Sequence, residues 1–152
     1  MKIANLFNVL VPADARHTAL VRMAIIAAIE AHLDREKFLD RRRRLPLEEW
    51  QYLWDALAWA DGHVVRMKPD QWLELSGECW LLADKDRSRA WRIRPGQGSI
   101  LRDVDVYLIP IGSPDRLYIS GHEEALGPWC IPLHPTWVET LRALAPTPHG
   151  SR

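Results

Sequence analysis

The stretch WLELSGECWLLA, residues 72–83, places Leu73, Leu75, Cys79 and Leu81 on odd positions and Glu74, Ser76 and Glu78 on even ones. A period of two is the signature of a strand with one buried and one solvated face, because successive side chains of an extended chain point to opposite sides. The same alternation recurs downstream. In RAWRIRP, Trp91 and Ile93 oppose Arg92 and Arg94; in DVDVYLIP, Val104, Val106 and Leu108 oppose Asp103, Asp105 and Tyr107. In DRLYIS, Leu117 and Ile119 oppose Arg116 and Tyr118. The connections DKDRS, PGQGS and GSPD are short and rich in turn formers, so neighbouring strands should pair antiparallel.

Upstream of about residue 70 the spacing is helical. Val21, Ile25, Ala28, Ile29 and Leu33 share one face behind Asp14, a suitable N-cap. Ala24 to Ile29 is apolar all round, which predicts a helix buried on more than one side. PLEEWQYLWDALAWADG signals a second helix, with Pro46 in its first turn, Glu48 and Glu49 at the positive dipole end and Gly62 to close it. Trp50, Leu53, Trp54 and Leu57 form its stripe. At the far end, Thr136 and Glu139 have capping-box spacing ahead of Trp137, Leu141 and Leu144.

Helices followed by strands predict an α+β fold: N-terminal helices packed on an antiparallel β-meander of about four to five strands, with a C-terminal helix. Residues 1–152 read as a single domain, mainly helical over 1–69, sheet over 70–133, a closing helix over 135–145 and a flexible tail over 146–152.

The composition narrows the function classes. The chain has 152 residues, enough for one domain with a real core. Twenty basic and twenty acidic side chains cancel, and each half of the chain is balanced, which argues against nucleic acid or an anionic membrane as partner. Two cysteines are too few for a disulfide framework and suit a reducing compartment, so the expected location is cytoplasmic. MKIANLFNVLVPADA has a faint leader outline, but Asn5 and Asn8 interrupt its apolar run, and it reads as part of the domain. No segment has the roughly 18 to 20 apolar residues of a membrane span.

GHEEALGPWCIPLHPTW, residues 121–137, gathers the residues with most chemistry. Cys130 and His134 stand at a permissible metal-ligand spacing, and His122 or Glu124 would add a third donor. No second paired motif accompanies them, and no metal or other cofactor is predicted. A Cys130 nucleophile paired with His122 or His134 is opposed by its setting in PWCIP, since apolar neighbours raise a thiol pKa. Glu123 and Glu124, adjacent on the chain, point apart if extended, and read as an acidic turn. Arg41–Arg44 reads as a solvated helix end balanced by Asp34, Glu36 and Asp40. RPGQGS lacks the lysine and spacing of a phosphate loop and reads as a hairpin.

A face, more than a motif, carries the functional expectation. Glu74, Glu78, Arg92, Arg94, Asp105, Tyr107, Arg116 and Tyr118 fall on the solvated parity of their strands, and Arg and Tyr are enriched at interfaces. Eight tryptophans are many for one core. Trp72 and Trp80 share the polar parity, so either a bulge at Gly77 turns one inward or an aromatic patch is open. The expected function is a small protein-binding domain, of the kind that includes inhibitors and immunity-type proteins, acting through this face. Its partner is another protein; a homo-oligomer is left open. The alternative is a small enzyme or metal-binding protein using His122, Glu124, Cys130 and His134.

Overall fold

In the computed structural model, which describes residues 11–32, 65–66, 78–93, 105–120 and 129–144, two helices lie against one sheet. The strands are β1 (Val11–Pro12), β2 (Val65–Arg66), β3 (Cys79–Ala83), β4 (Trp91–Ile93), β5 (Val106–Pro110), β6 (Arg116–Ser120) and β7 (Trp129–Pro132). The helices are α1 (Ala15–Ala31) and α2 (Pro135–Arg142). The α+β expectation holds at this level. The second expected helix, over PLEEWQYLWDALAWADG, and the Arg41–Arg44 run lie outside the described residues.

Asp14 caps α1 as its sequence position implies. Its backbone is extended, and its carboxylate accepts the His17 amide at 2.7 Å, satisfying one of the orphan donors of the first turn. That hydrogen bond, foremost, lowers the carboxyl pKa. Val21, Ala24, Ile25, Ile26, Ala28 and Ile29 are buried, so the all-apolar middle of α1 is central.

Among the described residues the sheet has seven strands in the order β1-β4-β3-β5-β6-β7-β2, more than expected, and every pairing is antiparallel. It is not a simple meander. β4 folds back on the outer side of β3, and β5 pairs with the other side of β3. Two-residue strands from the N-terminal half, β1 and β2, close the two edges, so the sheet is not confined to 70–133. Short edge strands leave little unpaired backbone to recruit another chain.

The pairing register assigns the faces. Leu82 stands opposite Tyr107, and Tyr107 opposite Ile119. Trp80, Leu82, Tyr107, Ile109, Leu117, Ile119, Ile131 and Leu133 therefore share one side and join α1 and Leu141 of α2 in a single core. The other side presents Cys79, Leu81, Ala83, Ile93, Val106, Leu108 and Cys130, and these are buried too. With both faces closed, β3 and β5 read as near-continuous apolar runs, the pattern usually associated with doubly covered sheets. Trp80 does not open an aromatic patch: its face is itself core, and it is 1% exposed. Gly77 lies outside the described residues.

Several polar groups that enter this core are matched, although the Trp80 indole N–H has no hydrogen-bond partner among the described residues. Thr18 Oγ1 accepts the Ala90 amide at 3.1 Å, and the Ala13 amide donates to the Ala90 carbonyl at 3.0 Å. The Tyr107 hydroxyl donates to Asp84 Oδ1 at 2.9 Å. Arg87 Nη1 lies 3.7 Å from that same oxygen and donates to the Asp84 carbonyl, while Arg22 of α1 donates to the Arg87 carbonyl. The β3–β4 turn is thereby tied to the helix above it.

Removing the hydroxyl alone should expose the cost of this arrangement. Tyr107→Phe is expected to destabilise by about 1–3 kcal/mol, because the buried Asp84 carboxylate loses a donor. Tyr107→Ala should cost about 3–5 kcal/mol, adding a cavity. Urea unfolding of both variants measures the difference.

Candidate functional site

The expected charged face does not form as one surface. Glu74 and Arg94 lie outside the described residues. Glu78 and Arg92 face the α1 side, where Arg92 stands opposite both Trp80 and Val11 and its guanidinium lies 4.0 Å from the Glu78 carboxylate. Both side chains are about a third exposed, and such surface pairs contribute at most about 1 kcal/mol. Asp105 is half-buried just before β5, its carbonyl accepting the Asp84 amide. Tyr107, expected outside, is fully buried beneath the helices. Arg116 and Tyr118 are on the opposite side of the sheet, Tyr118 lying between Leu108 and Cys130. Alternation sets parity within a strand; which parities meet across strands is decided by register.

Tyr107 is a perturbed group. Burial first, and then the neighbouring Asp84 charge, push its hydroxyl well above the ordinary value of 10.0. Perturbed, buried groups of this kind are candidates for catalysis when substrate reaches them. Asp84 is 1% exposed, and the cluster sits under α1, so the arrangement acts as a clasp. Sequence reasoning passed over Asp84 and Arg87 as turn residues. No local signal distinguishes them, because their role depends on Tyr107 arriving from another strand.

The 121–137 segment divides. His122, Glu123 and Glu124 lie outside the described residues. Cys130 faces the side away from α1, where its sulfur accepts a hydrogen bond from Arg116 Nη1 at 3.7 Å. His134 lies at the end of β7 on the helix side, as the N-cap of α2. Cys130 and His134 thus have different hydrogen-bond partners, Arg116 and the Thr136 amide. Among the described residues, no three His, Cys, Asp or Glu side chains come together as a metal cluster.

His134 also corrects the expected capping box. The helix starts two residues before Thr136 would have capped it. His134 Nδ1 accepts the Thr136 amide at 3.1 Å, and Pro135 occupies the first turn, where its missing N–H costs nothing. Trp137 and Leu141 do form the apolar stripe, with Leu144 packed against the same core.

The two thiols are free. β3 and β7 are separated by β5 and β6, three inter-strand steps of about 4.8 Å, far beyond disulfide reach. Burial pushes the Cys79 thiol up to about 12, so it is a packing residue at neutral pH.

The described residues also line an open cavity of about 310 Å³ where α1, β7 and α2 meet. Ala27, Ala28 and Ala31 of α1 form one wall, and Leu133, His134 and Trp137 another; His32, Pro132 and Thr136 complete the lining. Small residues on the last turns of α1 leave the space, a signal present in the sequence but indistinguishable there from ordinary close packing. Comparison of the chain with family models, with curated proteins and with solved structures finds no match. No helix among the described residues is long and apolar enough to cross a membrane.

The raised thiol and phenol carry a pH signature. Below pH 9 the Cys79 proton is bound in folded and unfolded chains alike, and its contribution to stability is complete. Between 9.0 and about 12 only the unfolded chain releases it, which favours unfolding. Tyr107 acts in the same direction above its ordinary value of 10.0. The urea midpoint is therefore expected to hold from pH 7 to 8.5 and fall above pH 9, and Cys79→Val should flatten the first part of that fall. An unchanged slope in Cys79→Val would contradict the assignment.

Proposed function

We propose that this protein is a binding domain that engages another protein through the Arg116–Tyr118 ridge of β6. The observation that supports this reading is the state of Arg116: it is exposed, yet its guanidinium is held towards β7 by Cys130. Beside it, Tyr118 is half-buried between two neighbouring strands. Binding normally costs about 0.5–1.5 kcal/mol for each long side chain that must be immobilised, and a side chain already held avoids part of that cost. Arginine and tyrosine are also the residues that most often dominate interface energetics. A rigid strand carrying both is better suited to recognising a partner surface than a loop carrying either. An inhibitor or immunity-type role is one form such binding takes.

The contact surface in this proposal is smaller than the face read from alternation. It excludes Tyr107, which is core, and separates Glu78 and Arg92 onto the other side.

Photocrosslinking in the native host tests it. A benzophenone side chain at position 116 is expected to give a discrete protein adduct that one at position 139, exposed on α2, does not. With the captured partner in hand, Arg116→Ala should weaken binding by about thirtyfold, as for a hot spot of about 2 kcal/mol, with little change in melting temperature. Equal adducts from both positions, or none, would contradict the proposal.

A further inference from the structure

We infer that the cavity between α1, β7 and α2 is a binding site for a small monocarboxylate with an apolar body. Its volume, about 310 Å³, is at the lower end of ligand pockets and suits a single ring or short alkyl chain. Ala27, Ala28, Ala31, Leu133 and Trp137 make most of the wall apolar.

The polar requirement comes from His134. Its Nδ1 is already an acceptor, taking the Thr136 amide at 3.1 Å. A neutral imidazole with Nδ1 accepting must carry its proton on Nε2, so the ring has only a donor left to offer. The helix end supplies no competing backbone donor. Pro135 has no N–H, and the Trp137 and Val138 amides both donate to the His134 carbonyl, at 2.9 and 3.1 Å. The ligand must therefore present an acceptor. The first turn of α2 holds no acidic residue, and its dipole is positive at this end, so a carboxylate is favoured and an ammonium is disfavoured. This site shares no residue with the β6 ridge, although Pro132 of its lining pairs with Arg116 in the sheet.

The experiment compares sodium phenylacetate with phenethylamine, alike in size and opposite in charge, by amide chemical-shift titration of the full chain. Phenylacetate is expected to bind saturably, with shifts centred on residues 27–31 and 133–137, and at least about tenfold more tightly than the amine. His134→Asn keeps a good N-cap while removing the Nε2 donor. It should retain the wild-type melting temperature and lose about tenfold or more in phenylacetate affinity, the effect of one hydrogen bond to a charged group. Ala31→Leu, at an exposed helix position facing the cavity, should block binding with the far-UV spectrum unchanged; Ala27→Leu serves if that variant does not fold. No saturable binding at millimolar phenylacetate, equal binding of the amine, or undiminished binding by His134→Asn would overturn the inference.

Discussion

The register of β3 against β5 governs this structure. Setting Leu82 opposite Tyr107 places the tyrosine hydroxyl on Asp84 at 2.9 Å, beneath α1. A shift of one residue would send Tyr107 to the other side of the sheet and bring Val106 and Leu108 under the helix instead. The buried carboxylate would then lose a donor that only this alignment supplies. Because Asp84 also begins the turn to β4, and Arg87 in that turn reaches the Asp84 carbonyl, one polar contact fixes the central pairing and the outer hairpin together. Arg22 extends the tie to α1.

Where alternation suggested a broad charged surface, the described residues offer the β6 ridge and the cavity between α1, β7 and α2. The two differ in what they suit. The ridge offers amphipathic side chains to a surface, whereas the cavity offers a mostly apolar wall with a few polar groups at its rim. Both depend on strand ends near β7: Cys130 steadies Arg116, and the residues after Leu133 turn directly into the His134 cap.

Local rules reached the parts of this fold that are themselves local. Asp14 as a cap, the buried stripe of α1, the strand character around residues 79–83 and 116–120, and the apolar face of α2 follow from spacing alone. What depends on distant partners was not legible. Alternation in DVDVYLIP is real, but with both faces buried it could not say which parity meets the helices, and Tyr107 was assigned outward. Strands of two residues, β1 and β2, are too short to leave a period. Spacing from Cys130 makes His134 a metal or catalytic candidate in the sequence, while its place as N-cap is signalled by Pro135 behind it, since proline favours the first helical position. Cys130 and His134 stand four residues apart in sequence, and the structure gives each its own partner: Arg116 for the thiol and the Thr136 amide for the imidazole.

The inward orientation of Tyr107 is the claim on which the face assignments rest, and hydroxyl-radical footprinting of the native protein tests it most directly. Tyrosine rings react in proportion to their exposure, and Tyr107 and Tyr118 are separable by mass spectrometry after proteolysis. Modification of Tyr118 with Tyr107 protected until the chain is unfolded is the predicted result. Oxidation of Tyr107 under native conditions at the rate of Tyr118 would contradict the register and, with it, the placement of every residue on that side of the sheet.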